Sequence, residues 1–203
     1  MSRLKIIDNI SGLQAVQLLR FLTFLIISIV FTKSHLSRAQ IGNWELFLFI
    51  SSLLSFFWVT GIIQSLLTLY ERNRTFRDDG AREGRKSPEI YNAFLLISFF
   101  SLMVFILGIP IRSVLESSPA DPDIPYPNLL LLYILLSNPV ALIEYIYLLN
   151  KRPHRILQYG IYTYSAQLLL VLAPVVAGYD EKSAIWGLFA ITAVRWIWLI
   201  ILL

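Results

Sequence analysis

Six long apolar blocks, separated by polar gaps, organise this chain: Leu13 to Thr32, Trp44 to Tyr70, Ile90 to Ile111, Asn128 to Leu149, Leu157 to Ala177 and Ser183 to Leu203. A helix rises about 1.5 Å per residue, so a hydrocarbon layer of about 30 Å takes roughly twenty apolar residues, and each block meets that length. The pattern predicts an all-α polytopic membrane protein of six transmembrane helices, with little chain left for a soluble domain. Lys33 to Asn43 reads as a small turn containing Gly42. Arg112 to Pro127 reads as a loop stiffened by Pro119, Pro122, Pro125 and Pro127, because proline fixes φ and removes a donor. The fourth and fifth gaps are only a few residues long, which makes the last three spans antiparallel neighbours. Pro139 and Pro174 lie inside spans. Each is a position for a kink, read either as a break beside a transport pathway or as ordinary tolerance of proline in membrane helices.

Charge adds an orientation. Arg3 and Lys5 precede the first span, Arg72, Arg74, Arg77, Arg82, Arg85 and Lys86 fill the second gap, and Lys151, Arg152 and Arg155 fill the fourth. The remaining gaps hold few bases and include Glu116, Asp121, Asp123, Asp180 and Glu181. The positive-inside rule therefore places the N-terminus and the second and fourth gaps in the cytoplasm, and six spans return the C-terminal end there too. The apolar run after Arg3 and Lys5 is longer than a signal-peptide core, contains Arg20 and lacks a small-x-small cleavage pattern, so the first span is read as retained.

Composition agrees: 57% of residues are hydrophobic and only 15% charged, against about 25% charged in soluble chains. The net charge of +4 is accounted for by the cytoplasmic gaps, and the second gap mixes Glu71, Asp78, Asp79, Glu83 and Glu89 among its bases. That mixture argues for a solvated linker and against a nucleic-acid partner. With no cysteine, disulfides, thiolate metal sites and cysteine catalysis are excluded.

Three charges fall inside spans: Arg20, Glu144 and Arg195. A central arginine or carboxylate costs about 2.5–3.5 kcal/mol on insertion scales, so such groups usually face a bundle interior or a wet cavity. Arg20 and Glu144 sit nearer the cytoplasmic face, where snorkelling competes with an interior role. Arg195 lies about 18 Å into its helix, where snorkelling is harder. Residues three or four apart share a helix face, so Gln17 with Arg20, Thr60 with Gln64 and Thr68, Ser137 with Ala141 and Glu144, and Tyr159 with Thr163 and Gln167 form one polar stripe per helix. Stripes of this kind serve helix packing or line a hydrated cavity. The two arginines favour a cavity that accepts an anionic group, since a guanidinium stays charged and presents a planar fork of donors to phosphate. The competing reading is a structural salt bridge of Glu144 with Arg20 or Arg195.

No H-E-x-x-H, G-x-S-x-G or P-loop motif occurs, and His35 and His154 lie in gaps without a second metal-type ligand. The expectation is a protein that is not an enzyme and needs no cofactor or metal.

The stretch Leu18 to Ser34, followed by Leu36-Ser-Arg-Ala-Gln-Ile-Gly42-Asn-Trp44-Glu-Leu-Phe47, by Gly61-Ile-Ile-Gln64 and by Tyr70, resembles the start of bacterial polysaccharide flippases of O-antigen type. These belong to the multidrug/oligosaccharidyl-lipid/polysaccharide exporter superfamily. Gly42 and Gly61 match that pattern, while Ser37 and Arg38 replace its glycine-proline and Ile41 its tyrosine. Glu144-Tyr-Ile-Tyr-Leu-Leu-Asn-Lys151-Arg152 is also similar to such flippases.

The resemblance implies one six-helix lobe, here residues 1–203, of a two-lobed MATE-like transporter. The chain would then be a fragment of a longer one, or would be completed by a homodimer partner. It also implies a bacterial inner membrane and alternating access for an undecaprenyl-diphosphate-linked oligosaccharide whose lipid tail stays in the phospholipid bilayer. By position Arg20 matches the diphosphate-contacting arginines. Arg195 joins it on physical grounds, with Gln17, Gln64 and Gln167 as sugar contacts and Glu144 as salt-bridge partner or coupling group. Two alternatives stand beside this: a cation-coupled multidrug exporter of the same fold, and a non-transporting membrane scaffold.

Overall fold

The computed structural model describes residues 9–77, 88–116 and 124–203; Arg3, Lys5, Arg82, Arg85, Lys86, Pro119 and Pro122 lie outside these. The described residues are helical, without a strand: α1 (Asn9–Lys33), α2 (Arg38–Arg77), α3 (Pro88–Glu116), α4 (Pro127–Val140), α5 (Leu142–Leu149), α6 (Pro153–Val176) and α7 (Glu181–Leu202). Six helical segments are long and apolar enough to cross a membrane, α4 and α5 together making the fourth.

Three boundaries lie furthest from the sequence reading. α2 begins at Arg38 rather than Trp44, because Ser37 and Gln40 form a reciprocal cap: the Ser37 N–H donates to Gln40 Oε1 (2.9 Å) and the Gln40 N–H to Ser37 Oγ (3.2 Å). Its far end passes Tyr70 as far as Arg77, since Glu and Arg are good helix formers. α3 runs through Pro110 to Glu116, beyond the loop expected from Arg112. The fourth span is broken, not continuous. Pro139 has no N–H to donate one turn back, and Ala141 closes a tight turn by donating to the Asn138 carbonyl (3.1 Å). Pro174, by contrast, lies within an unbroken α6.

The chain divides into two compact units. The first comprises α1, the start of α2 through Glu45, and Ile143–Trp198. Here α1 and α6 run parallel and pack turn by turn: Gly12 faces Pro153, Gly160 faces Val16, and Arg20 bonds Tyr164. The spacing follows from the helical repeat, which returns residues four apart to the same side. Small residues at such seams let helices approach closely. At one end of this unit the start of α1 meets the turn carrying Lys151 and Arg152; at the other, Gln40 donates to Asp180 (3.2 Å). The N-terminal side of α1 and the fourth gap thus share one end and the first and fifth gaps the other, as alternating spans require. Phe31 and Trp44 fill the interior with ring centroids 5.1 Å apart, while Leu18, Phe21, Leu22 and Leu25 of α1 point outward.

The second unit comprises Leu46–Leu142 and Leu199–Leu203. α3 packs on α4, with Gly108 against Leu131 and Phe47 against Tyr133, ring centroids 5.5 Å apart. Inside it the buried Asn138 donates from Nδ2 to the buried Ser101 Oγ (3.1 Å). Ser101→Ala strands that donor. The expected loss is about 0.6–1.7 kcal/mol, the range of interhelical hydrogen bonds in membranes, read by unfolding in detergent micelles. A Ser101→Ala chain as stable as the parent shows that the bond contributes nothing.

Candidate functional site: a two-arginine cluster

The intramembrane charges converge in the first unit. α1 supplies Arg20, α5 Glu144, α6 Tyr164 and Gln167, and α7 Arg195. Arg20 Nη2 donates to Glu144 Oε1 at 2.6 Å, and Arg20 Nε donates to the Tyr164 hydroxyl at 2.6 Å. That hydroxyl donates in turn to the same Glu144 Oε1 at 3.1 Å. The three groups close a ring of hydrogen bonds, so the structural salt bridge weighed from sequence is the Arg20–Glu144 pair. The two partners differ in access: the Glu144 side chain is 5% exposed and that of Arg20 39%. Arg20 reaches the boundary of the bundle, while the carboxylate is enclosed.

Arg195 stands differently. Its Nη2 donates to Gln167 Oε1 at 2.8 Å, and among the described residues it has no carboxylate partner. Its Nε is buried and makes no hydrogen bond. Its guanidinium carbon lies 5.3 Å from the centroid of the Tyr164 ring, and that of Arg20 lies 5.7 Å from the same ring. Both distances fall in the range where a cation is attracted to an aromatic face. Tyr164 therefore serves both arginines, one through its hydroxyl and both through its ring.

Beneath Arg195, Trp198 Nε1 donates to the Tyr147 hydroxyl (2.8 Å) and the Trp198 ring meets Tyr159 edge-on, centroids 5.4 Å apart. These contacts tie α5, α6 and α7 together next to the charges. α7 can approach α6 because Gly187 lies directly against the Leu170 backbone.

The glutamines separate. Gln167 is buried and occupied by Arg195; Gln17 is exposed on α1, and Gln64 is exposed on α2 in the second unit. The expected pairing of Gln17 with Arg20 as a shared inward stripe is replaced by Arg20 turning toward Tyr164. Tyr164 is the residue that sequence reading missed. Its signal was present, since it lies one turn beyond Gly160 and three residues before Gln167, but an aromatic residue in an apolar span also reads as packing.

Searches against protein-family models, curated proteins and solved structures return no match. What defines the chain is thus its all-helical architecture, its six helices long enough to span a bilayer and this cluster.

Proposed function

We propose that this chain is a lobe of a multi-pass membrane transporter that carries an anionic, diphosphate-linked lipid, in the manner of the polysaccharide flippases its sequence resembles. One observation supports it above others: among the described residues Arg195 holds a charge with no carboxylate partner, and a buried donor with no acceptor, beside an already neutralised Arg20–Glu144 pair. An apolar bundle that needed only packing gains nothing from an extra cation, which is costly at that depth. A phosphate oxygen supplies the missing acceptor and the missing charge. The excess of arginine over carboxylate disfavours the cation-exporting alternative, because a cationic drug would meet net positive charge. The lipid-linked oligosaccharide, the bacterial inner membrane and cytoplasmic Lys151, Arg152 and Arg155 belong to this reading.

Removing the charge of Arg195 while leaving a donor for Gln167 tests it. Arg195→Gln in lipid nanodiscs is expected to bind a prenyl diphosphate about tenfold to a hundredfold more weakly, the worth of one charge-assisted hydrogen bond. Affinity equal to that of the parent chain overturns the anion site. Absence of any binding by the parent leaves the cluster as a device for helix packing, the scaffold alternative.

A further inference from the structure

We propose that the α2–α3 pair holds one phospholipid whose headgroup carries both a phosphate and a primary ammonium, with an acyl chain lying in the groove between the two helices. The site belongs to the second unit and does not depend on the anion-transport reading above.

The groove has a volume of about 390 Å³, within the range of small-molecule sites. Its floor is Leu66 of α2 and Ala93 of α3, both buried, and Leu69 and Leu96 line it further out. It exists because α2 presents little side chain there. Gly61 has nothing within 4 Å of a built Cβ, and Ser65 folds its hydroxyl back to donate to the Gly61 carbonyl (2.9 Å). Gly61, Ser65 and Leu69 follow one another at steps of four residues, so they share one side of α2. Beyond Gly61 and Leu96 the lining stops, and the exposed aromatics Phe57, Phe99 and Phe100 take over the same helix faces. Leu69 and Gly61 are eight residues apart, about 12 Å of helix, against about 15 Å for one leaflet's half of a hydrocarbon layer. That length suits an acyl chain from a single leaflet, whereas a partner helix would use a seam along the whole span.

Polarity rises toward the helix ends. Glu89 and Asn92 line the α3 side one turn apart, and Arg72, three residues past Leu69, continues the α2 face just outside the lining. This is the end of the pair that the basic second gap assigns to the cytoplasm. An acid and a base together at the mouth, with a carboxamide one turn deeper, match a zwitterion. The Arg72 guanidinium takes the phosphate, the Glu89 carboxylate takes the ammonium, and Asn92 donates to an oxygen between headgroup and chain. A headgroup with a phosphate and no ammonium would set its charge against Glu89 without compensation. A carboxylate has about four lone-pair sites and a guanidinium five N–H donors, so each residue serves a lipid while keeping a contact within the protein. A primary ammonium donates three N–H bonds and a trimethylated one donates none, which makes the amine the discriminating group.

The test is native mass spectrometry of the full chain released from detergent micelles, titrated with phosphatidylethanolamine, phosphatidylcholine and phosphatidylglycerol of identical acyl chains. Phosphatidylethanolamine is expected to bind about tenfold more tightly than phosphatidylcholine, the lower end of what a hydrogen bond to a charged group supplies. Glu89→Gln is expected to erase that preference, while Arg72→Gln weakens all three lipids and keeps the order of the first two. Gly61→Phe fills the groove from α2 and is expected to bring every lipid down to non-specific adhesion. Equal binding of phosphatidylethanolamine and phosphatidylcholine by the parent chain overturns the proposal, as does tightest binding of phosphatidylglycerol, which would mark an anionic-lipid surface. Unchanged binding in Gly61→Phe puts the lipid elsewhere on the protein and overturns the groove. The first comparison uses the parent chain alone, so it decides even where a variant folds poorly. None of these outcomes involves Arg195, so the transport reading stands or falls separately.

Discussion

Replacing Arg20 by leucine is expected to remove about 3–5 kcal/mol of stability, the cost of leaving a buried ion without its partner. The burdened group is Glu144, enclosed at 5% exposure and left with the Tyr164 hydroxyl as its hydrogen-bond donor. Glu144→Gln should cost far less, because the orphan is then Arg20, which is 39% exposed and long enough to carry its head toward water. Arg20→Lys keeps the charge but loses the Nε bond to Tyr164, and should fall between them. Unfolding by sodium dodecyl sulfate from mild detergent reads the three losses. Equal losses in Arg20→Leu and Glu144→Gln would mean that the carboxylate is not the buried partner.

That asymmetry was only half legible in the chain. The spans were readable because an apolar run of about twenty residues admits few other fates, and the polar ends of α2 were missed because a hydropathy pattern does not register a Ser37–Gln40 cap or the helix propensity of Glu71 and Arg72. The break at Ala141 was foreshadowed by Pro139, yet Pro174 looked equivalent in sequence and left α6 unbroken. Sequence alone does not say which proline has neighbours that re-satisfy its freed carbonyl.

For the site, spacing put Arg20, Glu144 and Arg195 inside the membrane but left the partner of Glu144 open. The parallel packing of α1 on α6 decides it by bringing Arg20 level with Tyr164, one turn beyond the contact of Val16 with Gly160. Gln17 was assigned inward because it is three residues from Arg20, and it is exposed. Gly12, Val16 and Arg20, four residues apart, line the side of α1 that meets α6, and Gln17, one residue on from Val16, lies about 100° round the helix from that contact.

The close seam that brings Arg195 to the cluster supplies the second large effect. A Cβ at Gly187 would collide with the carbonyl oxygen of Leu170 and stand 2.8 Å from its carbonyl carbon and 3.1 Å from the Val171 Cα. These are backbone atoms of α6, so no rotamer change relieves them and the two helices must separate. Gly187→Leu is expected to cost at least the upper end of the usual overpacking range, about 3 kcal/mol. Separation of α7 from α6 should also break the Arg195–Gln167 bond and the Trp198–Tyr159 contact. Trp198 fluorescence offers a weak local report, since four other tryptophans share the signal, so stability carries the test. Gly160→Ala is milder: its new Cβ meets the Cγ2 of Val16 at 2.7 Å, a side chain with some freedom to yield. Gly42 has nothing within 4 Å of its built Cβ, so Gly42→Ala should be neutral or gain about 0.5–1 kcal/mol from helix propensity. The order Gly187→Leu, Gly160→Ala, Gly42→Ala in decreasing damage follows from which atoms stand in the way. A Gly187→Leu chain as stable as Gly42→Ala would show that α6 and α7 are not held at this distance, and Arg195 would then lose its fixed place beside Tyr164.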